Sequence, residues 1–269
     1  MVDYDYDLGI IGGGAAGLTV ASGAAQLGAK TLLIEKEAAL GGDCLHFGCV
    51  PSKTLIRSAH VFHQIKHADR FGLPVVDVPP VDFSRIAQRI REVIATIQAH
   101  DSEERFCSLG AKVEFGDVHF TDDHRVALNG RPVSAKRWVI ATGSSAAIPP
   151  IEGLQAVDYL TNRDIFSLRS LPGSMIIVGA GPIGIEMAQA FNRLGTAVTV
   201  VGRSDKILPK EDRDMADAVQ SALAAEGVTF HLGAVVNTVA SAGEKKTVSI
   251  TLNQGAALDL TADALLVAA

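Results

Sequence analysis

The sequence predicts an α/β protein of two domains, each built on a parallel β-sheet. The chain has 269 residues, of which 48% are hydrophobic and 20% charged, as expected for a globular protein of this size. A stretch near the N-terminus recurs in the second half with its glycines in register. Each copy reads as an apolar strand, a glycine-rich turn, a small-residue helix and a second apolar strand. That order is typical of a parallel βαβ unit.

The two copies are DLGIIGGGAAGLTVASGAAQLGAKTLLIEKE from Asp7 and SMIIVGAGPIGIEMAQAFNRLGTAVTVVGRS from Ser174, offset by 167 residues without a gap. Both carry G-x-G-x-x-G, at Gly12, Gly14 and Gly17 and again at Gly179, Gly181 and Gly184. The first glycine allows a tight turn, the second lets a pyrophosphate approach the backbone, and the third lets helix and strand pack closely. Two such units predict two Rossmann-like nucleotide-binding domains of the three-layer ββα type, over residues 1–149 and 150–269.

The copies differ where a ribose would be recognised. Glu35 ends the second strand of the first copy, where an acid can bind ribose hydroxyls. The same position in the second copy is Gly202, followed by Arg203. Because an acid repels a 2′-phosphate and an arginine pairs with one, the second copy is predicted to prefer NADP. Lys206 and Lys210 lie nearby, and Lys206 is interpreted as solvated charge.

The segment GGDCLHFGCVPSK, residues 41–53, raises the question of what its two cysteines do. A disulfide needs Cα atoms within about 7 Å, so Cys44 and Cys49 can bridge only if the helix unwinds between them. Gly48 permits unusual dihedrals, and Pro51 removes an N–H donor. Two unrelated buried thiols are the alternative. A zinc pair would need more ligands, and Cys107, interpreted as a packing residue, is alone.

Charge and composition exclude several functions. The net charge of −6 argues against nucleic acid as a partner. The acidic start MVDYDYD does not resemble a secretory signal, and the apolar runs are too short to span a bilayer. We therefore expect a cytoplasmic protein without a membrane partner, where a cysteine pair is more often catalytic than structural.

The remaining elements follow from periodicity. Apolar residues at helical spacing predict a helix that Asp82 or Ser84 caps and Gly110 ends. His60, His63 and His67 are interpreted as a surface stripe on another helix. Residues 113–142 alternate and turn, with a hairpin at Asn129-Gly130, which predicts a small antiparallel β-meander. A linker follows over 144–153, and the second domain closes with a strand-rich piece. The end of the chain, from Leu265, reads as a buried strand.

GGDCLHFGCVPSK, the two glycine motifs and ATGSSAAIPPIEG together resemble the class I pyridine nucleotide–disulfide oxidoreductases, over the whole chain. The family includes mercuric reductase, dihydrolipoamide dehydrogenase and glutathione reductase. The resemblance implies an FAD domain followed by a nicotinamide domain, with Cys44 as the thiol that exchanges with substrate and Cys49 as the thiol beside the flavin. It also implies that Lys53 lies near the flavin and pairs with Glu186.

The candidate catalytic residues are therefore Cys44, Cys49, Lys53 and Glu186. The expected cofactors are FAD and NADP, with NADPH preferred over NADH and no metal. The FAD-binding candidates are Gly12, Gly14, Ala16, Gly17, Glu35, Lys36, Gly42, Asp43, Cys44, Lys53, Ala141, Thr142 and Gly143. The nicotinamide-binding candidates are Gly179, Gly181, Gly184 and Arg203.

Two features depart from the family pattern. Pro182 and Ile183 stand where many members carry a tyrosine that gates the flavin, and the family's C-terminal dimerisation domain, with its acid–base histidine, is absent. We therefore expect a C-terminally truncated chain whose full-length form is a homodimer. The predicted activity passes electrons from NADPH through FAD to Cys44–Cys49, and on to a disulfide, dithiol-type or metal-ion substrate. The alternative is an inactive nucleotide-binding fragment.

Overall fold

The computed structural model describes residues 3–269, which form two compact units. The first unit contains residues up to Pro51 together with Arg91–Ser145, and the second contains Ser52–Ile90 together with Ala146–Ala269. This grouping differs from a single boundary at 149/150 because the segment 52–90 makes its contacts with the second glycine copy. The Phe83 and Phe191 rings, for example, lie 6.0 Å apart.

The first unit is built on a six-stranded sheet in the order β3-β2-β1-β6-β5-β4. Strands β1, β2, β3 and β6 are parallel, and β6, β5 and β4 form an antiparallel meander. The strands are β1 (Tyr6–Ile11), β2 (Thr31–Glu35), β3 (Ala111–Phe115), β4 (Val118–Asp122), β5 (Arg125–Leu128) and β6 (Arg131–Ile140). The helices are α1 (Ala15–Gln26), α2 (Gly42–His46) and α5 (Glu103–Ser108).

Apolar side chains on both faces of this sheet make the three layers. Ile10 packs on the helix side with Leu18 and Phe106, whereas Ile11 packs on the meander side with Val126. Successive residues of a strand point to opposite faces, so one apolar run serves both cores. Asn129 and Gly130 both have positive φ, 50° and 79°, and close the predicted hairpin between β5 and β6.

Two helices cross from one unit to the other. Helix α3 (Cys49–Lys66) begins in the first unit, and α4 (Phe83–Gln98) begins in the second. Asp82 caps α4 by accepting from the N–H of Ser84 (3.0 Å). The single helix predicted as far as Gly110 is wrong, because Ser102 starts the separate helix α5 by accepting from the N–H of Arg105 (3.2 Å).

The second unit repeats the parallel core with strands in the order β13-β7-β8-β9. A separate antiparallel sheet, β10-β11-β12, packs on it through residues such as Ile176, Val248 and Leu265. The elements are β7 (Ser174–Val178), α6 (Pro182–Leu194), β8 (Ala197–Gly202), α7 (Arg213–Ala225), β9 (Thr229–Leu232), β10 (Ala234–Ala242), β11 (Lys245–Leu252), β12 (Ala257–Ala262) and β13 (Ala264–Val267), with 3₁₀ turns at Ala68–Phe71, Leu154–Ala156 and Ile165–Ser167.

The predicted fold class, α/β with two Rossmann-like domains and antiparallel meanders, is confirmed. Leu265–Val267 form the buried strand expected at the end of the chain. Among residues 3–269, no helix has both the length and the apolar character needed to span a bilayer.

Candidate functional site: two glycine turns and a broken redox helix

The two cysteines lie on either side of a helix break. Cys44 belongs to α2, Cys49 begins α3, and Phe47 and Gly48 separate the two helices. Gly48 does not have the positive φ that unusual dihedrals would require. It is needed for another reason, since a Cβ there would lie 3.0 Å from the Asp43 carbonyl oxygen and 3.4 Å from Cys44 Cα. The break therefore folds the start of α3 tightly against α2.

Across the described residues all three cysteines are thiols. A hydrogen bond with the Cys49 side chain raises the pKa of Cys44, and burial of Cys44 raises it further. The Asp43 carboxylate acts in the same direction, and a hydrogen bond from the Cys49 backbone opposes them. The two thiol side chains are therefore neighbours, and their hydrogen bond favours the protonated form of Cys44. Cys44 is half-buried and Cys49 exposed.

Cys107 does not have the packing role that the sequence suggested. It lies on α5 and is exposed. Its thiol therefore provides an internal reference for the reactivity of the other two.

Lys53 follows Cys49 by one turn of α3, and its ammonium pairs with the carboxylate of Glu186 on α6. Both side chains are substantially exposed, 60% for Lys53 and 42% for Glu186. Exposed pairs of this kind contribute about 0–1 kcal/mol to stability. The pair therefore fixes the position of two charges more than it stabilises the fold.

The first glycine turn is held by backbone and by Glu35. Gly12 has φ +110°, and a Cβ there would lie 2.2 Å from the Ala141 carbonyl oxygen. A Cβ on Gly17 would lie 1.8 Å from the carbonyl oxygen of Gly12. No side chain caps α1 at Gly14, so the first-turn N–H groups and the positive end of the helix remain available to an anion.

Glu35 is 7% exposed, and both of its carboxylate oxygens accept backbone hydrogen bonds. Oε2 accepts from the N–H of Gly13 (2.6 Å) and Oε1 from the N–H of Glu37 (2.8 Å). The acid expected at a ribose therefore also braces the glycine turn.

The other FAD-site candidates divide into those at the turn and those on the surface. The Ala141 N–H donates to the Ile11 carbonyl (2.8 Å), and Thr142 follows it beside Gly12. Gly42 approaches Gly14 so closely that a Cβ on Gly42 would lie 2.6 Å from Gly14 Cα. Exposed candidates are Ala16, Lys36, Asp43 and Gly143.

The sequence did not predict that residues 41–46 contact the first glycine turn. The N–H of Gly41 donates to the Gly13 carbonyl (2.8 Å), and His46 Nε2 contacts the Leu40 carbonyl (3.0 Å). Gly41 has φ +115°. The double glycine that precedes Cys44 was the sequence feature that could have indicated this close contact. These contacts join α2 to the N-terminal end of α1.

The second glycine turn reproduces the first. Gly179 has φ +120°, and a Cβ there would lie 2.4 Å from the Ala268 carbonyl oxygen. A Cβ on Gly184 would lie 2.1 Å from the carbonyl oxygen of Gly179. Gly181 begins α6 without a side-chain cap and has open space beside it. This turn can therefore receive a phosphate on its backbone.

Arg203 directly follows β8, and its side chain is exposed with no ion pair among the described residues. Its neighbours are engaged elsewhere. Lys206 donates to the Glu211 carbonyl, and Arg213 pairs with Asp205 at 2.5 Å. The expectation that Lys206 is merely solvated is therefore wrong, whereas Arg203 and the nearby Lys210 are both exposed.

No group of three or more His, Cys, Asp or Glu residues in the range 3–269 has an arrangement that could hold a metal ion.

Comparison with known proteins agrees with this geometry. Mercuric reductase of Lysinibacillus sphaericus is 35% identical over 264 residues, covering 98% of this chain and 48% of that protein. Dihydrolipoyl dehydrogenase of Acholeplasma laidlawii is 36% identical over 241 residues, covering 87% of this chain and 70% of that protein. The chain spans about half the length of the mercuric reductases it matches.

Among solved structures, the HOCl-induced flavoprotein disulfide reductase RclA from Escherichia coli matches with a TM-score of 0.84 and 30% identity, covering 98% of this chain and 56% of that one. Its Cu(II) complex matches with a TM-score of 0.83 and 30% identity, covering 97% and 55%. The model of the pyridine nucleotide-disulphide oxidoreductase family matches residues 6–269. The chain therefore belongs to the pyridine nucleotide-disulphide oxidoreductase family.

Proposed function

We propose that this chain carries the FAD site, the NADPH site and the redox-active cysteines of a flavoprotein disulfide oxidoreductase. The hydrogen bond between Cys44 and Cys49 across the helix break carries the proposal. In a regular helix, residues five apart point in different directions. Here the break and the close packing of Gly48 make the two side chains neighbours, as a reversible disulfide requires.

The first glycine turn fits the AMP half of FAD. Its backbone approaches its neighbours too closely for side chains at Gly12 and Gly17, and the start of α1 is uncapped. The pyrophosphate would be held by the turn around Gly14, and Glu35 would address the ribose while bracing the turn. Ala16, Lys36, Gly42, Asp43, Ala141, Thr142 and Gly143 complete the proposed site.

When bound, FAD supplies the two-electron chemistry that connects a nicotinamide with a disulfide. The chain supplies the disulfide: two electrons and two protons convert the Cys44–Cys49 bond into two thiols. Cys44 then exchanges with substrate as the thiolate. Because the hydrogen bond with Cys49 favours the protonated form of Cys44, this thiol must first give up its proton to a base or to solvent. The Lys53–Glu186 pair places a cation one helical turn from Cys49.

The second glycine turn is proposed to bind NADPH in preference to NADH. Gly202 leaves no acid at the ribose position, and Arg203 offers a guanidinium to a 2′-phosphate. Gly179, Gly181 and Gly184 would receive the pyrophosphate.

The proposed substrate is a disulfide, a dithiol-type compound or a metal ion, in a full-length homodimer. Identity to mercuric reductases and to dihydrolipoyl dehydrogenases is comparable, so similarity favours neither substrate class.

Alkylation of denatured protein tests the cysteine assignment. Air-oxidised protein alkylated without reductant should carry label on Cys107 alone, and prior reduction should label all three cysteines. Cys44→Ser should expose Cys49 to label in the oxidised sample. The matched control, Cys107→Ser, should remain unlabelled until it is reduced. Label on all three cysteines of the oxidised chain would contradict the proposal.

A further inference from the structure

The second unit contains a cavity of about 460 Å³ that the proposed redox function does not use. We call it the histidine cavity; its lining includes His63, Lys66, His67, Arg70, Arg193 and Glu226. The three histidines of the predicted surface stripe, His60, His63 and His67, are all half-buried, and His63 and His67 line this cavity. A volume of this size is within the range of small-molecule sites.

The fixed charges of the histidine cavity are mostly positive. Glu226 is its only acid among the described lining residues, and Arg193 already binds both oxygens of that carboxylate, at 2.7 and 2.6 Å. Lys66 and Arg70 have no ion pair among residues 3–269. The cavity therefore presents two cations that no acid neutralises, which favours an anionic ligand and disfavours a metal ion.

His63 gives this charge a pH dependence. The ring centroids of His63 and His67 lie 4.2 Å apart, and His67 Nδ1 contacts the His63 carbonyl at 2.8 Å. His63 faces Arg193, Glu226, His67 and Arg70. Burial lowers the pKa of His63, and the positive charge of Arg193 lowers it further, while Glu226 opposes them. An anion in the cavity would reduce this penalty on protonating the His63 ring.

We propose that the histidine cavity binds a multivalent oxyanion of the phosphate type and that binding is coupled to proton uptake by His63. Lys66 and Arg70 supply the fixed attraction, and His63 adds a hydrogen bond and charge as the pH falls. The ligand class is a phosphate or a phosphorylated small molecule. The site is independent of the cysteines and of both glycine turns.

The test is a sulfate titration of the full chain, followed through histidine side-chain signals by NMR. Sulfate keeps its charge between about pH 6 and about pH 8, so any pH dependence belongs to the protein. We expect the His63 and His67 signals to move with saturation, and the affinity to be about tenfold higher at about pH 6 than at about pH 8. Chloride at equal ionic strength should not reproduce this, and inorganic phosphate should compete.

The double variant Lys66→Gln/Arg70→Gln should weaken sulfate binding about tenfold or more. Both side chains are exposed, so the fold should tolerate the change. Lys136→Gln/Arg137→Gln removes two exposed charges from the first unit and should leave binding unchanged. Anion binding at a glycine turn would not move these two histidine signals selectively.

Two outcomes would overturn the proposal. One is a sulfate titration that moves His63 and His67 no more than His119 and His231. The other is a double variant that loses stability but binds sulfate as tightly as the parent. Either result would mean that Lys66 and Arg70 interact only with the helix dipoles at the C-terminal ends of the helices beside the cavity.

Discussion

The two glycine turns have nearly the same backbone but opposite side-chain arrangements. The N–H of Gly12 donates to Ile34 (2.8 Å), and the N–H of Gly179 donates to Val201 (2.9 Å), at the equivalent position of the repeat. In both copies the loop after the second strand returns to the middle of the turn, through Gly41 N–H to the Gly13 carbonyl and Leu208 N–H to the Ala180 carbonyl, each at 2.8 Å.

The two copies differ in which of two neighbouring positions carries a side chain. The first copy combines Gly13 with Glu35, and a Cβ on Gly13 would lie 3.1 Å from the Glu35 carboxylate. The second copy combines Ala180 with Gly202, and a Cβ on Gly202 would lie 2.9 Å from Ala180 Cβ. A leucine also crowds each glycine, since the added Cβ would lie 2.5 Å from Leu40 in the first copy and 2.8 Å from Leu232 in the second. The repeat thus keeps one backbone and builds two different ribose environments on it.

The shared backbone predicts the largest effect. Gly17→Ala and Gly184→Ala would each place a methyl group within 1.8 or 2.1 Å of a carbonyl oxygen. Each change should cost about 3 kcal/mol or more in the unit that contains it, because the helix must move away from its strand. Urea unfolding of each variant measures the cost.

Gly23→Ala is the matched control for Gly17→Ala, in the same helix but with nothing within 4 Å of the added Cβ. It should stabilise the protein by about 0.5–1 kcal/mol. If Gly17→Ala and Gly23→Ala changed the free energy of unfolding equally, close approach to the backbone would not explain why position 17 is a glycine.

Because positions 180 and 202 lie close together, a substitution at position 180 should offset the destabilisation caused by a substitution at position 202. Gly202→Glu alone should destabilise the second unit by about 1–3 kcal/mol, because the new side chain meets Ala180 and Leu232. Adding Ala180→Gly should recover part of that loss, since the contact with Leu232 remains, and should create the acid-and-glycine pair of the first copy. A double-mutant cycle from urea unfolding measures the coupling. Additive losses would mean that the two positions are independent.

The different ribose environments predict a change in nucleotide preference. Arg203→Gln should weaken NADPH binding about tenfold and leave NADH binding nearly unchanged, since only the contact with the 2′-phosphate is lost. Calorimetry with both nucleotides measures this, with the exposed Lys210→Gln as control. Equal weakening of both nucleotides would contradict the NADP assignment.

The smallest expected effect concerns an aspartate–serine hydrogen bond that occurs in both units. The aspartate precedes the first strand of the repeat in the first unit, whereas in the second unit that strand carries the serine. Asp5, before β1, accepts from Ser134 N–H (2.8 Å) on β6; Asp263, before β13, accepts from Ser174 N–H (2.8 Å) on β7. The hydroxyl groups of Ser134 and Ser174 also donate to the same carboxylates, at 2.7 and 2.8 Å. These hydroxyl hydrogen bonds, together with the N–H hydrogen bonds, lower the pKa of both carboxyl groups. A carboxyl group whose pKa is lower in the folded state than in the unfolded state stabilises the fold at pH values above its unfolded pKa. That stabilisation is lost as the pH falls through the folded pKa.

Asp5→Asn and Asp263→Asn should therefore reduce stability at neutral pH, and the difference from the parent should disappear as the pH falls through the lowered pKa values of the two carboxyl groups. Urea midpoints across pH measure both. A deficit that persists unchanged at acid pH would assign the effect to packing instead of charge.

The sequence by itself determined the repeat, the positions of the close-approach glycines, the hairpin at Asn129-Gly130 and the cysteine pair with its helix break. These features are local, because a glycine turn or a hairpin depends on the backbone preferences of a few adjacent residues. The family followed from the same motifs.

Only the tertiary structure decided which contacts those residues make. Glu35 braces Gly13 across 22 residues, Leu232 and Ala180 crowd Gly202, and His63 and His67 line a cavity together with Arg193. The segment 52–90 groups with the second unit through contacts such as Lys53 with Glu186. Each of these depends on the packing of elements far apart in the chain, which hydrophobic periodicity and motif spacing do not specify.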